Sequence, residues 1–458
     1  MTSRVLVPLE GEIAVVGLAR SGRAAAMLLR KHGYNVYASD VASSPDTGSC
    51  AEELRAQGVV VDVGRHDLER LERASLVVAS PGVPPSARPL SFAREKGVRI
   101  ASEVEVALHF LEASRIIAIS GTNGKTTTTA LIAHLLRGLD LEAVEAGNIG
   151  TPLSEIASRE EQPKWISLEM SSFQLHDTPS LKPDVGVLTN LSPDHLDRYG
   201  SVEEYYSDKA RLFANADPNS VWVVNRDDNA VTAMVRDVAG HKYPFSIAGD
   251  APAHLDVRSN QLVVMGAPLL SRQDLPLLGS HNVGNALAAS LAVMAADRSH
   301  QTQKARRGIA AALKTFRSLP HRLELVGEFG GVQWINDSKA TNVSSTAVAI
   351  DGMERPTVLL LGGRHKGEAY TSLVEAVRRK VKTVIAYGEA APIIATDLRP
   401  VVDVVRLGSD FEEVIRAARA AAQAGEAVLL SPACSSYDMF ANYEERGERF
   451  RELAAKEA

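Results

Sequence analysis

The chain has 458 residues, 45% of them hydrophobic and 23% charged, with a formal net charge of −6. That length exceeds what one hydrophobic core fills, so two or three domains are expected, and the composition excludes a disordered chain. Acids and bases are interspersed without a basic block and no apolar run reaches bilayer length, so neither nucleic acid nor membrane insertion is expected.

Taken in chain order, the first element is the apolar run Ile13–Val16, followed by Gly17-Leu18-Ala19-Arg20-Ser21-Gly22 and a helical period over Arg23–Lys31. Asp40 ends the next run, Val36–Ala38, 23 residues after Gly17. A dinucleotide fingerprint has this form, with the acid on a ribose hydroxyl, but its middle glycine is missing here. Two readings stay open: a nucleotide-like ligand, or a glycine-ended turn that binds nothing.

Leu76–Ala79 is a further strand, and Ile116–Ile119 then leads through Ser120 into Gly121-Thr122-Asn123-Gly124-Lys125-Thr126-Thr127 and a helical stretch, Thr127–Arg137. Strand, glycine turn and helix form a phosphate-gripping loop. Backbone N–H groups and the helix N-terminus meet phosphate oxygens, Lys125 reaches the β- and γ-phosphates, and the Thr126 hydroxyl completes a Mg2+ shell. Ile119 stands where a full P-loop motif has its first glycine. An ATP-dependent enzyme is expected.

Strands Trp165–Leu168, Val185–Leu188 and Val221–Val224 follow. Glu169 leaves the first of them, where a carboxylate is costly unless it meets a cation, so it reads as a metal ligand or as half of a loop salt bridge. After the second comes Pro193-Asp194-His195-Leu196-Asp197-Arg198; His195 is either a hydrogen-bonded structural histidine or part of a metal or phosphate site. The buried helix Ala286–Ala296 is preceded by Gly279-Ser280-His281-Asn282-Val283-Gly284-Asn285, whose Asn282 and Asn285 share a face. They suit an adenine edge or a metal's waters, or they cap the helix. In the last third, Val358–Leu361, Val384–Ala386 and Val428–Leu430 read as strands and Phe411–Ala424 as a helix. Dense polar runs end three strands here: Asn336-Asp337-Ser338-Lys339-Ala340-Thr341-Asn342, Gly362-Gly363-Arg364-His365-Lys366 and Ser431-Pro432-Ala433-Cys434-Ser435-Ser436-Tyr437.

Strand–helix alternation over the whole length means an α/β protein of parallel sheets with helices on both faces. Seams near Val98–Ala107 and Leu313–Leu319 divide it into three domains, residues 1–103, 104–318 and 319–458. Cys50 and Cys434 are far apart and read as reduced thiols. No signal peptide is recognised, and a cytoplasmic monomer is expected.

Together these stretches resemble the Mur ligase family, and most closely its D-glutamate-adding branch. Gly-Thr-Asn-Gly-Lys, His-Asn-x-x-Asn-Ala and Asp-Ser-Lys-Ala-Thr-Asn mark the superfamily, which includes folylpolyglutamate synthases. Residues 167–175, 194–199 and 431–440 point to the branch. The resemblance implies a Rossmann-like N-terminal domain for a UDP group, a central P-loop domain for ATP and a Rossmann-like C-terminal domain bringing an amino acid. It also implies ATP-driven activation of UDP-N-acetylmuramoyl-L-alanine as an acyl phosphate and attack by D-glutamate. Carried over by position, Gly121 to Thr127, Asn282, Arg322 and Asp337 resemble ATP contacts. Thr126, Glu169, His195 and a carbamylated Lys209 resemble the ligands of two Mg2+ ions; the plainer reading of Lys209 is a helix-surface lysine. Lys125, His195, Lys209 and Lys339 resemble the catalytic set. Arg20, Ser21, Asp40 and Asn148 resemble contacts to the UDP substrate, and Thr341, Lys366, Ser436 and Tyr443 contacts to D-glutamate. Arg20, Arg364 and Tyr443 depart from family residues. A site shared between domains implies assembly on closure. A nicotinamide-dependent dehydrogenase would leave Lys125 unexplained, and a nucleotide sensor would not need the whole cluster.

Overall fold

The structure, a computed structural model, describes residues 10–194 and 198–456. Short apolar runs become strands because neither face meets water. In β1 (Glu12–Val16), residues Ile13 to Val16 are all buried, as parallel strands covered by helices on both sides must be. With β2 (Asn35–Asp40), β3 (Val60–Val63), β4 (Leu76–Ala79) and β5 (Ile100–Ser102) it forms a parallel sheet in the order 3-2-1-4-5. The chain winds outward from β1 on one side and then crosses to β4 on the other. The carboxyl end of β1 is therefore a topological switch point, where a crevice opens.

The second sheet contains β6 (Arg115–Ser120), β7 (Ala143–Gly147), β8 (Trp165–Glu169), β9 (Val185–Leu188), β10 (Val221–Asn225), β11 (His241–Ser246), β12 (Ala253–Asp256), β13 (Gln261–Val264) and β14 (Ala267–Ser271). Their order is 14-13-12-11-10-9-6-8-7, so β6 too is a switch point, between β8 and β9. The third sheet is β15 (Glu324–Phe329), β16 (Val332–Asn336), β17 (Thr357–Gly362), β18 (Val381–Tyr387), β19 (Asp403–Arg406) and β20 (Ala427–Leu430), in the order 15-16-20-17-18-19. Leu359 and Leu361 of β17 face one apolar cluster, Val358 and Leu360 another, so this sheet is buried on both faces.

The α/β class and parallel sheets agree with expectation, with two local departures. The pairs β12–β13, β13–β14 and β15–β16 are antiparallel. Asn260, Met265 and Gly266 take positive φ (53°, 50° and 75°) and supply the left-handed residues that tight hairpins require. The helix read over Phe411–Ala424 ends at Ala421. Ala422 is extended, and the Gln423 N–H donates to Glu426 Oε2 at 2.8 Å, which turns the chain early.

The chain divides into two compact units, Met1–Asp274 with Gly284–Lys314, and Leu275–Val283 with Thr315–Ala458. In the first, both sheets share apolar packing: Leu28, Leu29 and Val104 belong to one cluster with Leu153 and Ile156. Among the described residues, no helix is long and apolar enough to cross a membrane.

Candidate active site

The phosphate loop leaves β6 and enters the helix Lys125–Arg137 through Gly124, at φ 79°. Both loop glycines take positive φ, which side chains rarely adopt, and both are closely approached. A Cβ on Gly121 (φ 140°) would lie 2.0 Å from Thr189 Oγ1, and one on Gly124 would lie 2.4 Å from Asn285 Oδ1. The segment after β9 braces the loop. Asn190 Oδ1 accepts the Asn123 N–H at 2.8 Å, and Asn190 O accepts the Thr122 N–H at 2.9 Å. The Thr189 hydroxyl donates to Asn123 O at 2.7 Å. Lys125 Nζ donates to Gly121 O (3.0 Å) and Thr122 O (2.7 Å).

A second amine reaches the same carbonyl. Lys209, on the helix Val202–Ala210, is 1% exposed, and its Nζ donates to Gly121 O at 2.6 Å. The plainer reading, a surface lysine, is corrected: Tyr205, one turn earlier, turns the same face inward. Its ring lies 4.6 Å from Lys209 Nζ, and its hydroxyl donates to Thr122 Oγ1 at 3.3 Å. Burial first, then the Lys125 charge, pushes the Lys209 ammonium well below the usual lysine range, against the opposing charges of Asp194, Glu169 and Asp208.

Glu169 ends β8 and is buried. Its Oε1 accepts from Asn148 Nδ2 at 2.9 Å, while Oε2 has no partner among the described residues. An orphaned buried carboxylate oxygen costs about 1–3 kcal/mol or more unless a cation meets it, which fits a metal. Among the described residues no group of three His, Cys, Asp or Glu side chains forms a metal site, and His195 lies outside them.

Around β1 the predicted contacts are dispersed. Asp40 Oδ2 accepts the Leu18 N–H at 2.7 Å, and Oδ1 accepts the Ala42 N–H at 2.8 Å. Arg20 opens the helix Arg20–Lys31, which also carries Ser21, and donates to Gly150 O at 2.9 Å, on the turn that holds Asn148. Gln174, given no role by the sequence reading, stands near. It is 2% exposed and lines a small cavity with Ser80, Val83 and Phe173. Its Oε1 accepts the Ser171 N–H at 3.0 Å, and its Nε2 is buried with no partner among the described residues. The capping-box spacing Ser171-x-x-Gln174 was the available signal, and it accounts for the oxygen but not for the nitrogen.

In the second unit, Asp337 follows β16 and is buried. It accepts the Leu323 N–H (3.2 Å) and the Ser431 hydroxyl (2.8 Å), and burial pushes its carboxyl up to about 7. His321 and Leu323, at φ 62° and 42°, flank Arg322 in left-handed conformations costly for such residues. Lys339 Nζ stands 3.7 Å from the Tyr443 ring centroid. Arg446, also unassigned by the sequence reading, is fully buried and donates to Ser338 Oγ (2.9 Å), Ser338 O (2.9 Å), Cys434 O (3.2 Å) and Gly362 O (3.5 Å). It thereby ties the loops after β16, β17 and β20, which carry Lys339 and Thr341, Lys366, and Ser436. Ser436 is buried, Lys366 is exposed, and Arg364 pairs with Glu389 at 3.2 Å. Asn282 donates to Leu278 O at 2.8 Å within its own segment.

Three family models match in sequence order: Mur ligase MurD-like N-terminal domain over residues 11–102, Mur ligase middle domain over 119–293, and Mur ligase glutamate ligase domain over 321–434. UDP-N-acetylmuramoylalanine–D-glutamate ligase of Cytophaga hutchinsonii is 38% identical over 451 residues, covering 96% of this chain and 98% of that protein. The enzyme of that name from Salinibacter ruber is 40% identical over 453 residues, covering 96% of each. Among solved structures, UDP-N-acetylmuramate-alanine ligase MurC of Thermotoga maritima superposes with a TM-score of 0.61 at 19% identity, covering 98% of this chain and 100% of that one. The MurF ligase of Thermotoga maritima in complex with ADP gives 0.62 at 17% identity, covering 93% and 96%.

Proposed function

The chain belongs to the Mur ligase family, and on that premise we propose that it is a UDP-N-acetylmuramoylalanine–D-glutamate ligase of peptidoglycan precursor synthesis. The L-alanine carboxylate of UDP-N-acetylmuramoyl-L-alanine attacks the γ-phosphorus of ATP, giving an acyl phosphate and ADP. The D-glutamate amine then adds to the acyl carbon. The C–N bond forms, the C–O bond to phosphate breaks, and the amine proton leaves to base.

One observation carries this reading: Lys125 and Lys209 converge on Gly121 O, and the charge of Glu169, whose Oε2 is unpaired, acts on Lys209. In water two such lysines would be unremarkable. Here the half-buried Lys125 is a cation set where phosphoryl charge develops, and the buried Lys209 beside it is a metal-linked group. Lys125 exchanges loop carbonyls for phosphate oxygens. Mg2+ would be held by Thr126, Glu169, His195 and Lys209, and supplies charge stabilisation to the phosphoryl groups. A neutral buried amine is the form of lysine that adds CO2, losing a proton to solvent; the burial of Lys209 supports its carbamylation, which would convert it to an anionic ligand. Asn282, Arg322 and Asp337 serve ATP. Arg20, Ser21, Asp40 and Asn148 serve the nucleotide substrate, joined by Gln174 through its unpaired Nε2. Thr341, Lys366, Ser436 and Tyr443 serve D-glutamate, with Lys339 acting on the transition state. The three domains are residues 1–103, 104–318 and 319–458.

Phosphate release from ATP tests the reading. It is expected only with UDP-N-acetylmuramoyl-L-alanine and D-glutamate present together. Equal release with another amino acid, or with a folate acceptor instead, would overturn it.

A further inference from the structure

Lys209 has no freedom to choose its position, because its whole side chain is buried; where its amine lies is decided by the pose of the helix Val202–Ala210. The residue beside it holds that helix. Asp208, 8% exposed, takes three donors, two from outside its helix and one, Arg211, from the helix's own C-cap. Its Oδ1 lies 2.7 Å from His176 Nδ1 and 3.2 Å from Arg211 Nε, and its Oδ2 accepts the Tyr199 hydroxyl at 3.1 Å. A carboxylate only accepts, so His176 Nδ1 carries the proton. His176 ends the short helix Ser172–His176, which follows β8 and its terminal Glu169. Behind it, His176 Nε2 lies 3.9 Å from Asp177 Oδ1, and Arg94 reaches Asp177 at 3.7 Å. Consecutive helix residues point about 100° apart. Asp208 can therefore grip the segment after Glu169 while Lys209 points at the phosphate loop.

We propose that the His176–Asp208 pair is a positioning clamp for the ligase reaction: it locks the Lys209 helix to the segment following Glu169, and so fixes the Lys209 nitrogen beside the phosphate loop at Gly121. His176 touches no reacting group and acts through Asp208. The inference rests on the functional reading above, so one arm of its test is independent of catalysis.

Three full-length variants are compared with the wild type: His176→Ala, His176→Asn and Asp208→Asn. The asparagine at 176 keeps an N–H donor near the position of Nδ1, so it separates loss of the bond from loss of the ring. Hydrogen–deuterium exchange of the 202–210 backbone is expected to quicken in His176→Ala and to return to the wild-type rate in His176→Asn. In the ligase assay, kcat of His176→Ala and Asp208→Asn is expected to fall about 10- to 100-fold, with KM for D-glutamate unchanged. His176→Asn should recover most of that loss. Unchanged exchange in His176→Ala overturns the clamp, whatever the assay shows. So does quickened exchange spread over the whole first unit and not rescued by asparagine, which marks ordinary destabilisation. Quickened, rescued exchange in a protein without ligase activity supports the clamp and overturns the functional reading instead.

Discussion

Two strand–turn–helix units in this chain use the same backbone to opposite electrostatic ends. After β1, Gly17 (φ 95°) and Gly22 let the helix Arg20–Lys31 start so close that a Cβ on Gly22 would lie 1.8 Å from Gly17 O. After β6, Gly121 and Gly124, at positive φ, lead into the helix Lys125–Arg137 pressed against Thr189 and Asn285. Both turns sit at switch points, so both open crevices. The charges at the first are Asp40, both of whose oxygens already hold backbone N–H groups, and Arg20, which is spent on Gly150 O. The charge at the second is Lys125, held on carbonyl oxygens that a phosphate can replace, with the buried Lys209 beside it on Gly121 O. Glycine geometry makes a crevice; the side chains around it decide whether it is a shaped recognition edge or a store of positive charge.

Lys125→Ala should separate the two turns most sharply. ATP-dependent phosphate release is expected to fall about a thousandfold, about 4 kcal/mol of transition-state stabilisation, with the melting temperature unchanged. A fall of only a fewfold would make the second turn as passive as the first. Gly22→Ala probes the opposite quality of the first turn. Because the opposing atom is backbone oxygen and cannot rotate away, urea unfolding should show a loss of about 3 kcal/mol or more. Near-native stability would mean that the close approach is dispensable.

The docking of the first sheet on the second can be sharpened through pH. Glu103, just after β5, is fully buried, accepts the Ser154 N–H at 2.5 Å through Oε1, and has an unpartnered Oε2. Burial raises its carboxyl from the ordinary 4.5 to about 7. A raised folded value means that its stabilising contribution is complete below about pH 4.5 and is lost as pH rises through about 7, up to about 3 kcal/mol in all. Glu103→Gln should remove that slope, so melting curves taken near pH 5 and near pH 8 should show the variant gaining on the wild type at the higher pH. Parallel curves would contradict it. The smallest effect is expected from Arg20→Ala. Losing the bond to Gly150 O should raise KM for the nucleotide substrate severalfold, about 1 kcal/mol, and leave kcat alone.

Much of this was legible in the sequence. Ten apolar runs, from Ile13–Val16 to Val428–Leu430, lie within strands because parallel strands are buried on both faces and need no alternation. The glycine–lysine loop was legible because its geometry tolerates few residues. What escaped reading depends on tertiary placement. The β12–β14 ribbon is made of runs of four or five residues, too short to register a period. Lys209 shares its buried face with Tyr205, yet one tyrosine at helical spacing cannot say that the face is inward. Asp208 and Arg446 are polar residues whose roles come from neighbours far away in the chain, and no local pattern marks them, while the capping box that marks Gln174 says nothing of its unpaired nitrogen. His195, a candidate from its setting after β9, lies outside the described residues.

Isotope transfer tests most directly whether this chain activates a carboxylate by phosphorylation. UDP-N-acetylmuramoyl-L-alanine carrying heavy oxygen in its alanine carboxylate is incubated with ATP, Mg2+ and D-glutamate, and the released phosphate is analysed by mass spectrometry. One labelled oxygen per phosphate formed is the predicted result, with none in the Lys125→Ala reaction above background. Unlabelled phosphate released alongside amide product would contradict the acyl-phosphate route.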